Sequence, residues 1–92
     1  MHLPTRVTLR IETMAGERLT TIKLIGRIRT EDLGQLRAQF EAFGVDVVVD
    51  LAEVSLVNLE VIRFLCTSES EGVRLVNCAG YIRRWIDKER RN

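Results

Sequence analysis

Two aspartates, Asp46 and Asp50, bracket three valines in the run "VDVVVDL". Residues at even spacing share one face of an extended chain, so the pair is placed for acid–base exchange if a further polar group converges on it. The sequence supplies no such partner, and Asp50 reads as a strand-end carboxylate that accepts from loop amides. The single histidine, His2, stands in a terminus expected to fray, so neither a nucleophile–histidine pair nor a histidine metal site is expected. Two well-separated thiols, Cys66 and Cys78, fit buried structural cysteines better than a disulfide framework or a metal site. The inventory therefore predicts no enzyme activity, no catalytic residue, no metal and no cofactor.

Chemistry of another kind gathers at "NLEV", Asn58 to Val61, where an apolar run gives way to helical spacing. The carboxyl end of a strand next to a helix N-terminus is where ligands and regulatory charges sit in α/β sheets. Asn58 is a good N-cap, able to accept from an amide near Glu60 or Val61 and to stabilise the helix start by about 1 kcal/mol. Glu60 falls in the first turn, where the helix dipole favours a negative charge by roughly 0.3–1 kcal/mol. Two readings stand for it: a dipole partner alone, or a permanent charge where a phosphate would otherwise come and go. Two also stand for Leu59: half of an exposed apolar patch with Phe64, or a side chain folded back onto the core.

These residues must be positioned by the elements around them. "RVTLRIET" alternates, with Val7, Leu9 and Ile11 on one face, and "LTTIKLIGRI" keeps Ile22 and Leu24 in phase after the turn at "MAGER". Strand, turn, strand predicts an antiparallel hairpin. Thr30 stands where an N-cap should, and Leu33, Leu36, Phe40 and Phe43 recur at helical steps until Gly44 ends the helix. The aliphatic run Val45 to Leu51 predicts a central strand, covered on both sides or in the middle of the sheet. A second helix from Leu59 to about Glu71 turns Ile62, Leu65 and Cys66 inward, which leaves Phe64 on the opposite side and at least partly exposed. Gly72 is placed as its C-cap, "VRLVN" predicts a last strand, and Ile82, Trp85 and Ile86 form the apolar stripe of a third helix. Arg83, Arg84, Lys88, Arg90 and Arg91 make that helix basic. Cations at a helix carboxyl end read as a solvated face, with contact to an acidic partner or phosphate backbone the second reading. The order β-β-α-β-α-β-α predicts a small α/β fold with a mixed, mostly parallel four-stranded sheet covered by helices.

Composition narrows the function classes. Ninety-two residues make one domain, read as residues 1–92 with a core at 7–87 and a basic tail at 88–92. With 14 basic against 13 acidic residues, no nucleic-acid partner is expected. No apolar run reaches the roughly 20 residues of a membrane span. The first ten residues lack the apolar centre of an export signal, so a cytoplasmic protein is expected.

"LTTIKLIGRIRTEDLGQLRAQF", "VDVVVDLAEVSLVNLEVIRFL" and "EGVRLVNCAGYIRRWI" together resemble the STAS domain, the module shared by bacterial anti-sigma factor antagonists and the cytoplasmic tails of sulfate transporters. The shared features are the Gly-x-hydrophobic stretch from Gly26 to Arg29, the "VVVDL" strand followed by "AEVSLVN", the helix that begins at once, and the Gly-x-x-Leu strand entry at Gly72. The resemblance implies an Asp-Ser-Ser-Gly motif at the junction, its first serine phosphorylated by a partner kinase that doubles as an anti-sigma factor. Asn58 takes the Asp position, Leu59 that of the acceptor serine, Glu60 the second serine and Val61 the glycine. Leucine carries no nucleophile, so that route is closed. The helix from Asn58 to Gly72 is about one turn shorter than the resemblance implies. A partner-switching interaction module is expected, non-catalytic, facing an anti-sigma factor kinase or other ATPase-fold protein through Asn58, Leu59, Glu60, Val61, Arg63 and Phe64. A homodimer is a further expectation, and Ser55, Thr67, Ser68 and Ser70 are candidate substitute modification sites. The alternatives are a small subunit of an ABC lipid-transport complex and a sensor holding a nucleotide or lipid at the junction.

Overall fold

A computed structural model describes residues 9–43 and 46–91. Four strands, β1 (Arg10–Ala15), β2 (Thr20–Arg27), β3 (Val47–Leu56) and β4 (Arg74–Val76), form one sheet in the order β1-β2-β3-β4. β1 and β2 pair antiparallel, whereas β2–β3 and β3–β4 are parallel. The helices are α1 (Leu33–Ala42), α2 (Leu59–Ser70) and α3 (Gly80–Arg91). The expected hairpin is present, closed where the Gly16 amide donates to the Leu19 carbonyl at 2.8 Å. Val7 and the helix stop at Gly44 lie outside the described residues.

One core forms on one face of the sheet. Ile22 and Leu24 of β2 and Val47, Val49 and Leu51 of β3 pack with Leu36 and Phe40 of α1, Ile62 and Leu65 of α2, and Ile82 and Ile86 of α3. The register places Ile22, Val49 and Leu75 side by side, so strand alternation puts Lys23, Asp50 and Val76 on the opposite face. β3 is interior, as its valines predict, and the described helices pack against one of its faces. Val48 is buried between β2 and β4, and two positions further on Asp50 stays partly accessible.

β3 is also longer than its aliphatic run. Instead of breaking at Leu51 it continues to Leu56, carrying extra residues opposite Lys23–Ile25 and Gly26–Arg27. Each bulge shifts the in–out phase, which is why "AEVSL" reads as a break rather than as strand. Gly26, opposite the second irregularity, has φ of +99°, a conformation that favours glycine. The first bulge frees the Ala52 amide, and Asp50 Oδ1 accepts from it at 2.9 Å and from Asn77 Nδ2 at 3.1 Å. These bonds, the Ala52 amide first, hold the Asp50 carboxyl below the usual carboxylate range.

Three helical details correct the sequence expectation. Thr30 opens a short 3-10 turn (Thr30–Asp32) without capping α1, and the Arg29 amide donates to Asp32 Oδ2 at 2.8 Å to close that turn. Phe43 lies past the end of α1 and is exposed, so the stripe stops at Phe40. Phe64 is buried, with only 8% of its surface accessible. α2 buries two adjoining stripes: Val61, Phe64 and Ser68 run along one, and Ile62 and Leu65 along the other. A helix flanked by two neighbours buries a wider arc than an amphipathic wheel assigns to it. Gly72, with φ of +107°, follows the end of α2, and its amide donates to the Glu69 carbonyl at 3.1 Å, as a glycine stop predicts.

The basic end of the chain is the last turn of α3 rather than a tail, and part of it is bound to α2. Arg83 of α3 donates from Nη1 and Nη2 to the two carboxylate oxygens of Glu69 at 2.9 and 2.7 Å, and also meets Asp87 at 3.0 Å. Arg90 adds a further bond to Glu69. The paired guanidinium, Arg83 first, brings the Glu69 carboxyl down to about 2. Among the described residues no helix is long and apolar enough to cross a membrane.

Candidate functional site

The site is built where β2 and β3 end and α2 begins. Asn58 is extended (φ −117°, ψ −179°), and its Oδ1 accepts from the Val61 amide at 2.9 Å, so the N-cap is made as the sequence predicts. Its other amide atom has a second role. Asn58 Nδ2 donates to Thr30 Oγ1 at 3.0 Å, tying the start of α2 to the turn that leads into α1. The hydroxyl assigned to capping α1 is thus an acceptor for the cap of α2. The Ile28 amide, donating to the Leu56 carbonyl at 3.1 Å, holds the two strand ends together beneath it.

A shallow hollow of about 170 Å³ opens at this point, lined by Arg27, Ile28, Arg29, Leu56, Val57 and Asn58. It holds no described hydroxyl, thiol or imidazole. Leu59 is 36% accessible and Leu56 57%. Of the two readings for Leu59, exposure holds, but without Phe64, which is buried. Val61 is fully buried and cannot meet a partner. Phe64 cannot either, because its ring lies 5.5 Å from that of Phe40, under the Arg37 guanidinium. Both therefore leave the expected contact set.

Glu60 is exposed and stands 3.6 Å from Arg63, three residues on. Arg63 is shared, since its Nε donates to Glu89 of α3 at 3.2 Å. The charge of Glu60 thus has a cation beside it, an arrangement that dilutes a permanent negative mark at the helix start. Ser55 lies in β3, three positions before the cap, and its carbonyl accepts from the Tyr81 hydroxyl at 3.4 Å. Of the other candidate hydroxyls, Ser68 is buried and Ser70 Oγ donates to the Thr67 carbonyl at 2.7 Å.

Leu56, Arg27, Arg29 and Tyr81 belong to this surface and were not singled out in the sequence, and Thr30, which belongs to it too, was singled out only as the cap of α1. Leu56 was hidden by the bulges, because its phase in β3 is visible only once the extra residues are placed. Thr30 carried a signal, a small hydroxyl at a helix entry, but that signal pointed to the wrong helix. The arrangement can bind through apolar contact and guanidinium groups, and its hydroxyls are engaged, Thr30 with the Asn58 amide and Tyr81 with the Ser55 carbonyl. Among the described residues no cluster of three histidine, cysteine or acidic side chains is placed to hold a metal ion. Compared with known proteins, the chain is matched by no family model and by no curated protein.

Proposed function

We propose that this chain is a non-catalytic interaction module of the STAS type, acting as an anti-sigma factor antagonist that does not take up phosphate at the usual position. The fold order supports the reading: a hairpin, then alternating helices and parallel strands, with α2 starting directly after β3. The observation that carries it is the mouth of α2, where a tightly made cap is flanked by the solvent-facing Leu56 and Leu59 in place of a nucleophile. Exposed leucines beside arginines suit a protein surface with an apolar centre and acidic margins. Its partner is an anti-sigma factor kinase or another ATPase-fold protein in the cytoplasm, recognised without covalent marking.

Capture from native lysate on the immobilised protein tests this, with the double variant L56D/L59D as control. The expected result is retention of an ATPase-fold serine kinase by the wild type and its loss from the variant. Retention of an ABC ATPase subunit would move the protein to a transport complex, and equal retention by both proteins would remove the mouth of α2 from the interface.

A further inference from the structure

The outward side of α3 carries charge of a single sign. At 3.6 residues per turn, Tyr81, Arg84, Lys88 and Arg91 follow one line along the helix, about 15 Å from end to end, with Trp85 beside it. The four on the line are exposed, whereas Ile82 and Ile86 point the other way and are wholly buried. Trp85 is half-buried against the core.

The carboxylates nearby are sorted away from that line. Asp87 holds Arg83 at 3.0 Å, Glu89 holds Arg63 at 3.2 Å, and Glu69 of α2 holds both Arg83 and Arg90. Both acids of α3 are thereby engaged by guanidinium groups, and no described carboxylate pairs with Arg84, Lys88 or Arg91. The helix dipole accounts for Lys88 and Arg91, which stand in the last turn. It does not account for Arg84. The first turn of α3 holds no acid, and the Arg84 guanidinium folds back over Gly80, at the positive end of the dipole, where a cation is disfavoured. A negative group arriving from outside relieves that cost and meets two more cations in line with the first.

We propose that this face of α3 docks an acidic helix of a partner protein, its carboxylates recurring at the same three- and four-residue steps. Side chains at those steps lie about 5–6 Å apart, a spacing that a facing helix reproduces. Tyrosine, tryptophan and arginine are the types most enriched where proteins bind one another, and Tyr81, Arg84, Trp85 and Arg91 are of those types. A bilayer is disfavoured because the apolar side of α3 is already packed in the core, which leaves little apolar area to immerse. A nucleic acid is disfavoured because a net charge of +1 gives the chain no long-range attraction for a polyanion. Tyr81, whose hydroxyl reaches the Ser55 carbonyl, is where this face meets the mouth of α2, but neither surface depends on the other.

The ¹⁵N-labelled full chain is titrated, with NMR as readout, against an alanine-based helical peptide whose glutamates recur at i, i+4 and i+7 and against a shuffled peptide of the same composition. Phosphatidylglycerol vesicles and a short DNA duplex are added in parallel, with Trp85, the chain's one tryptophan, as a fluorescent reporter. Saturable shifts at Tyr81, Arg84, Trp85, Lys88 and Arg91 are expected with the first peptide, with binding at least about threefold weaker for the shuffled one and weaker again at high salt. R84Q/K88Q/R91Q should abolish binding, glutamine being as good a helix former as the residues it replaces. R10Q/R18Q/R37Q, which removes as much charge elsewhere, should leave it unchanged. Absence of saturable shifts, equal binding of the shuffled peptide, equal losses in the two triple variants, or tighter association with vesicles or duplex would overturn the proposal, and none of these results bears on partner capture at the mouth of α2.

Discussion

A single amide side chain joins the two halves of the α2 mouth. Asn58 accepts from Val61 and donates to Thr30, so its two functions are chemically separable. Asn58→Ala removes both bonds and should cost about 1–2 kcal/mol in urea unfolding, within the range for lost caps. Asn58→Asp keeps the acceptor and loses the donor, so it should retain more than half of that stability. An equal loss in both variants would mean that the Thr30 bond, and not the cap, holds the helix start. The cap was legible in the sequence because it depends on local spacing alone. The bond to Thr30 was not, because it spans 28 positions and only the sheet brings its partners together.

At the scale of elements, the clasp between α2 and α3 is the feature that composition concealed. Arg83 and Arg90 counted as solvated cations in the sequence, but Glu69 on the neighbouring helix recruits both. Because the Glu69 carboxyl is lowered to about 2 when folded, the unfolded chain takes up its proton first as the medium is acidified. The clasp therefore contributes fully above the ordinary carboxylate value of 4.5 and fades as pH falls from there towards 2. Glu69→Gln should cost about 1–2 kcal/mol near neutrality, a figure reduced for its partial contact with water. The gap between wild type and variant should narrow between about pH 4.5 and 2 in thermal or urea unfolding. A gap that stays constant over that interval would show that the pair adds nothing to folding. The burial of Phe64 teaches the same lesson about neighbours. A wheel drawn for one helix assigns one buried arc, whereas α2 packs between α1 and α3 and hides a second.

The whole molecule was the most legible scale. Alternation, helical periodicity and glycine stops gave the order of elements and the mixed sheet, because each is set within a few residues of chain. What they could not give was the length of β3, where two bulges disturb the alternation used to recognise it. The single core also makes α3 indispensable. Ile82 and Ile86 are wholly buried in the same cluster as the strands, so a chain ending at Asn77 should lose its cooperative unfolding transition and its dispersed NMR spectrum. Retention of either would show that sheet, α1 and α2 suffice.

The face of the sheet turned away from the helices has a consequence for behaviour at high concentration. Lys23 of β2 reaches Glu53 of β3 at 2.6 Å, and that contact, first through its hydrogen bond, raises the ammonium above its ordinary value. Hydrated ions in the middle of a β surface that no described helix covers make it a poor template for stacking against another sheet, since desolvating them has no return. Exchanging Lys23 and Glu53 for valine would leave the fold's interior untouched and turn a colloidally quiet surface into an adhesive one.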